Sequence, residues 1–158
     1  MTDIIIRPAA AEEAPLILSL LRELADYEKL LDRFHVTQDS IRRDMLGDPC
    51  SCDLALVDGV VAGVVVSLWT YKSFRARRGI FVEDLYVKPQ FRGLGLGTRL
   101  LAALAVRAGD GFLEWQVLDW NAPSIDFYKR LGAALSPEWI TCRLDGDALA
   151  KLTGVSLA

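Results

Sequence analysis

A single histidine and three cysteines leave this chain poorly supplied with the ligands of a Cys/His metal site. His35 has no second imidazole to pair with at any spacing, so no metal is expected. Cys50, Cys52 and Cys142 form an odd set and are expected to stay reduced. Basic clusters are missing as well. Lys and Arg total 18 against 21 Asp and Glu, a net charge of −3, and no Lys/Arg-rich block supplies the electrostatic footprint of a nucleic-acid binder. Cationic partners are weakly favoured instead. The longest apolar run, Val60 to Trp69, falls far short of the roughly 20 residues that cross a bilayer, and Gly63 and Ser67 interrupt it. A buried strand is expected there, not a membrane segment. The opening residues, with Asp3 ahead of Ile4-Ile5-Ile6, match neither a secretory signal nor a transit peptide, so the expected compartment is the cytoplasm.

What is present is an apolar share of 52% in 158 residues, enough for one buried core and too little chain for two ordinary domains. Residues 1–158 read as a single domain. Ile4 to Arg7 is a short β-type run closed by Pro8. Leu16, Leu20, Leu24, Tyr27 and Leu31 then fall at the three-to-four spacing of a helix with one buried stripe, and Pro15 suits its first turn. Thr37 is a candidate N-cap for a second short helix through Ile41 to Met45, stopped by Gly47 and Pro49. Leu54 to Val57 and Val60 to Tyr71 flank Asp58-Gly59, a dipeptide that supplies the positive φ angles a two-residue hairpin turn demands. Ile80 to Val87 is a further strand, Thr98 to Ala108 a helix, and Phe112 to Leu118 a strand. Asn121 or Ala122 caps a helix with Pro123 in its first turn and Gly132 past its end. Leu135 to Leu144 reads as a last strand. The order β-α-α-β-β-β-α-β-α-β implies an α/β (α+β mixed sheet) fold with helices on both faces.

Between the strand ending at Val87 and the helix beginning near Thr98 lies Arg92-Gly93-Leu94-Gly95-Leu96-Gly97. Glycines let a ligand approach the backbone closely, and the unpaired amides at a helix start face an anion with the helix dipole behind them. A pyrophosphate fits. The dinucleotide fingerprint requires an early βαβ unit, whereas this loop follows an antiparallel hairpin. A Walker loop requires Gly-Lys-Ser/Thr, and no lysine precedes Thr98.

The glycine loop, together with the order of elements, resembles the pyrophosphate loop and fold of the GNAT superfamily of N-acetyltransferases. Four further blocks are similar to its spermidine/spermine N-acetyltransferase-like branch. They are Ile6-Arg7-Pro8-Ala9, Leu24-Ala25-Asp26-Tyr27-Glu28, Glu83-Asp84-Leu85-Tyr86-Val87 and the run from Trp120 to Ala133. The resemblance implies a GNAT acyl-CoA N-acyltransferase fold with acetyl-CoA as cosubstrate. It implies that Leu85, Tyr86 and Val87 meet the pantetheine arm and that Arg92, Gly93, Leu94, Gly95, Leu96, Gly97 and Thr98 hold the pyrophosphate. It further implies that Asn121, Ser124 and Tyr128 line the same ligand, and that the protein is a homodimer.

Moving an acetyl group to an alkyl amine requires a route for a proton, because such an amine, with a pKa near 10.4, is almost wholly protonated at neutral pH. Glu83 is the candidate base: it lies in the apolar run from Ile80 to Leu85, where one carboxylate of the Glu83-Asp84 pair must share a strand face with hydrophobic neighbours. The resemblance gives that glutamate a water-mediated role and makes Tyr128 the general acid for the leaving thiolate. It also points to Tyr27, Glu28, Glu83 and, assisting them, Glu138 as the groups that meet a small cationic acceptor such as a polyamine, a diamine or a thialysine-like amino acid. Glu114, which stands where the animal enzymes of the branch carry a histidine, is a further candidate to assist. Two other readings stay open, a non-catalytic acetyl-CoA-binding regulator and an acetyltransferase acting on a protein or another small amine.

Overall fold

The computed structural model describes residues 1–156. The chain divides into two compact units, Met1–Ala122 and Pro123–Ala158.

The first unit is built on five strands, β1 (Ile4–Pro8), β2 (Ser51–Val57), β3 (Val60–Lys72), β4 (Arg77–Val87) and β5 (Leu113–Trp115). They lie side by side in chain order, antiparallel except for the parallel pair β4–β5. Three helices accompany them: α1 (Ala14–Tyr27), α2 (Gln38–Asp44) and α3 (Leu96–Ala108). Thr37 caps α2 as its residue type predicts: its Oγ1 accepts from the Ser40 amide at 3.1 Å while Ser40 Oγ accepts from the Thr37 amide at 3.0 Å. The Asp58-Gly59 turn has φ of +49° and +79°, the left-handed pair expected of it.

Side-chain alternation places helices on both faces of the sheet. Ile17, Leu20, Leu21 and Leu24 of α1 and Ile41 of α2 form one core with Cys52 and Leu54 of β2, Val64 and Val66 of β3 and Tyr86 of β4. Asp53, between Cys52 and Leu54, points the other way. There its buried carboxylate accepts from Arg107 of α3 at 2.9 Å, which ties that helix to the opposite face.

The second unit contains most of α4 (Ala122–Arg130) and all of α5 (Gly146–Thr153). Gly132, at φ +88°, ends α4 as anticipated. The expected last strand, Leu135 to Leu144, is not formed: the segment is irregular, and Trp139 and Ile140 are 82% and 85% exposed. Alternating apolar residues define a face, but a strand also needs a neighbour for its backbone groups, and among the described residues none pairs with this segment. Helix α5, beyond the elements read from sequence, follows it with Asp145 at its N-cap position.

Candidate functional site

The local geometry of β4 decides which carboxylate turns inward. Val82 pairs with Ser67 and Asp84 pairs with Val66, so Glu83 is an extra residue with no partner on β3, a β-bulge. An inserted residue reverses the alternation. Tyr86, paired with Val64, belongs to the α1 core, and Asp84, paired with Val66, shares that face, on which Cys52 is the next residue across the sheet. Val82, paired with Ser67, faces α3. Glu83 itself is exposed. This corrects the expectation from the apolar run: the carboxylate that shares the hydrophobic face is Asp84.

The consequences are electrostatic. The Asp84 carboxyl is pushed up to about 7, by burial first and then by the negative charges of Glu83 and Glu28. Burial also raises Glu28, at the C-terminal end of α1. On the same face burial pushes the Cys52 thiol up to about 12 and raises Cys50, so neither is a ready thiolate nucleophile. Cys142 is exposed, and all three cysteines are free thiols.

The bulge also marks the end of the β5 ladder, whose last pair is Val82 with Trp115. The strand expected to reach Leu118 is therefore three residues long. From Glu83 to Val87 the β5-side edge of β4 has no strand partner among the described residues. Such an edge can pair with the amides of an extended ligand as with another chain. Tyr86 can contribute there only through its main chain, because its ring is buried and its hydroxyl donates to Glu23 Oε2 at 3.1 Å. The Val87 carbonyl already accepts from Arg92 Nε at 3.1 Å.

That arginine opens the glycine loop. Gly93 and Gly95 have φ of +85° and +73°, left-handed angles that glycine adopts without penalty, and a Cβ on either would meet no atom within 4 Å. Gly95 is the N-cap of α3, and the first intrahelical bond runs from the Arg99 amide to the Gly95 carbonyl at 3.0 Å. The amides of Leu96, Gly97 and Thr98 precede it, and an α-helix gives these first-turn donors no partner of its own. Leu96 is buried and anchors the turn, whereas Leu94 is exposed. Open space, first-turn donors and the positive end of a helix dipole make a cradle that fits a pyrophosphate.

Tyr27, at the end of α1, links this loop to the segment after β5. Its hydroxyl donates to Asn121 Oδ1 at 3.0 Å, its ring lies 6.4 Å from that of Trp120, and the Arg92 guanidinium stands 5.6 Å from its centroid. Lys29 places its ammonium 4.9 Å from the Trp120 ring centroid. Of the two auxiliary acids, Glu114 lies opposite Phe81 and is paired with Lys72 Nζ at 2.8 Å. Glu138 is exposed in the second unit, which also carries Ser124 and Tyr128 on α4.

Glu28, Glu83 and the loop are thus found in the first unit together with Asn121. Asp84 and Lys72 are residues to which sequence reasoning gave no role. The Glu-Asp pair was a visible signal, but nothing in its spelling marks the bulge that turns Asp84 inward. Among the described residues no three His, Cys, Asp or Glu side chains are grouped to hold a metal, and no helix is long and apolar enough to cross a membrane.

Comparison with known proteins adds four findings. A family model described as the acetyltransferase (GNAT) family matches residues 17–133. Thialysine N-epsilon-acetyltransferase of Bos taurus is 34% identical over 170 residues, covering 98% of this chain and 99% of that protein. L-ornithine N5-acetyltransferase NATA1 of Arabidopsis thaliana is 42% identical over 105 residues, 65% of this chain and 46% of that protein. Among solved structures, an integron cassette protein from the mobile metagenome of V. cholerae superposes with a TM-score of 0.76 at 21% identity, over 96% of this chain and 98% of that one.

Proposed function

Because this chain belongs to the acetyltransferase (GNAT) family, we propose that it transfers the acetyl group of acetyl-CoA to the primary amine of a small cationic acceptor, a polyamine, a diamine or a thialysine-like amino acid. That it is an acetyl-transferring enzyme follows from the family. The observation that carries the acceptor class is the set of carboxylates at the bulge: Glu28 and Glu83 both act on Asp84, and no cation offsets them. Relatives named for thialysine and for ornithine support an acceptor with a second charge.

In this reading the main chain of Leu85, Tyr86 and Val87 meets the pantetheine arm, and Arg92 to Thr98 hold the pyrophosphate, assisted by Asn121, Ser124 and Tyr128. When bound, acetyl-CoA supplies an activated thioester: a C–N bond to the amine forms as the C–S bond breaks, and the departing sulfur needs one proton. Tyr128 donates that proton and is reprotonated by the second proton that the nitrogen sheds as it becomes an amide. Glu83, through a water, takes one from the ammonium so that the nitrogen lone pair is free. The two units act as one catalytic domain, as a family match running from residue 17 to 133 across their boundary supports. The reading places the enzyme in the cytoplasm as a homodimer, closed two-fold pairs being the commonest assemblies.

Incubation with acetyl-CoA and a panel of monoamines, diamines, polyamines and basic amino acids, with thiol release as readout, tests the assignment. Acetylation of the cationic small amines is expected. Release with peptides alone would move the acceptor to proteins, and release with none would leave an acetyl-CoA-binding protein without catalysis.

Glu28 discriminates among the acceptors. A partly buried carboxylate holds a distal ammonium more firmly than the 0–1 kcal/mol or so of an exposed pair. Glu28→Gln is expected to raise KM for diamines about tenfold more than for monoamines, with kcat little changed. Steady-state kinetics on one acceptor of each type checks this, and equal effects on both would remove Glu28 from the distal site.

A further inference from the structure

The bulge leaves β4 with two adjacent carboxylates in unlike surroundings, Glu83 exposed and Asp84 folded inward against Cys52 and Val66. The charged and titratable groups around Asp84 are Glu83 on its own strand, Glu28 at the end of α1, and Cys50 and Cys52 at the start of β2. Further along the α1 face, Glu23 is engaged with the Tyr86 hydroxyl. None is a cation, and among the described residues no hydrogen bond or salt bridge engages Asp84. An unpaired, half-buried carboxyl turned toward the apolar face at a strand bulge, immediately before the main chain expected to meet the cosubstrate, has no evident structural purpose: its desolvation weakens the fold when it is ionised.

We propose that Asp84 is the final acceptor of the proton displaced from the amine, receiving it by way of the water held by Glu83. The inference rests on the acetyltransferase reading and extends its proton path by one residue. An N–H bond of the ammonium breaks, an O–H bond forms on Asp84, and the neutral amine keeps the electron pair. Asp84 returns the proton to solvent before the next turnover. The exposed Glu83 is suited to meet the ammonium and its water, while Asp84, poised at about 7, is a matched acceptor at neutral pH.

The sign of the pH dependence follows from this environment. Ionised Asp84 is needed for turnover, so the acid limb of kcat/KM should lie near pH 7 instead of in the ordinary carboxylate range. Its folded value exceeds the ordinary 3.8, so the stability that this carboxyl contributes is fully present below about pH 4 and is lost as pH rises through about 7.

Three variants test the proposal. Asp84→Asn should lower kcat/KM at pH 7.5 about a hundredfold and move the remaining acid limb down to ordinary carboxylate values. Asp84→Glu, which restores a carboxylate, should bring back a limb near neutrality. Without any cosubstrate, carbon-13 NMR should show a carboxyl titrating near pH 7 that vanishes in Asp84→Asn. In Glu83→Gln it should survive at lower pH, because one of the charges raising it is gone. The melting temperature of Asp84→Asn should exceed that of the parent protein at pH 8 and match it at pH 4, which separates loss of function from loss of fold. An acid limb unmoved in Asp84→Asn would overturn the proposal while leaving the acetyltransferase reading intact. No thiol release from the parent protein with any amine would overturn both.

Discussion

Tyr128→Phe is expected to lower kcat by about two orders of magnitude, the usual size of a general acid's contribution, while acetyl-CoA binding stays within about twofold of the parent protein. The substitution removes one oxygen and keeps the ring. That ring lies 5.3 Å from Phe127 in α4, a contact a phenyl group preserves. The Tyr128 carbonyl accepts from the amides of Leu131 and Ala133 at 3.1 Å in each case, closing the helix through backbone that the change does not touch. The deficit should fall on the step in which the thiolate leaves. Single-turnover kinetics with the acceptor in excess, paired with calorimetric titration of acetyl-CoA, would separate the two quantities. Equal turnover across the pH range would make Tyr128 a packing residue and assign protonation of the thiolate to water. A loss seen only in acetyl-CoA affinity would make it a binding residue.

Gly95→Glu should abolish the thermal stabilisation that acetyl-CoA confers. The φ of +73° is unfavourable for a side chain by about 1–2 kcal/mol, but a Cβ there meets no protein atom within 4 Å, so the fold should survive. The added carboxylate even suits the start of α3, where the helix dipole favours negative charge. What it opposes is a second anion in the same cradle. A ligand at a hundred times its Kd stabilises by about 2.7 kcal/mol, and a hundredfold weaker Kd reduces that to about 0.4 kcal/mol. Gly95→Ala carries the same backbone strain without the charge and should retain most of the shift. If Gly95→Glu melts with an undiminished shift in acetyl-CoA, the loop does not hold the pyrophosphate.

How far these residues could be read in advance differs from element to element. Asp58-Gly59, Thr37 and Gly132 were legible because each depends on neighbours within a few positions: a left-handed turn, a cap and a helix end. The stripe expected on α1 was legible only in part: Leu20 and Leu24 are buried, but Leu16, Tyr27 and Leu31 are exposed, Leu31 lies past the helix end, and Ile17 and Leu21 complete the buried face. The loop from Arg92 to Thr98 was legible for the same reason, since strand, glycines and helix are consecutive in the chain. Leu135 to Leu144 has the alternation of a strand and is not one, because strand formation requires a partner that local spelling does not supply. Glu114 carries the charge an acceptor would need, yet Lys72 at the far end of β3 already holds it at 2.8 Å, a pairing across 42 positions.

The sequence by itself determined the family, the glycine turn between β4 and α3, the order of elements as far as α4, and the residue types capable of acid and base chemistry. Those properties are encoded in short windows, where spacing and side-chain chemistry leave few alternatives. Only the tertiary structure decided which of two adjacent carboxylates lies inside. That outcome depends on the register between β3 and β4: one unpaired residue at position 83 reverses every side chain beyond it, turning Asp84 toward the core of α1 and leaving Glu83 in solvent. Register is set by the packing of the whole sheet face, so the burial that raises Asp84 arises only once distant strands and α1 have closed around it.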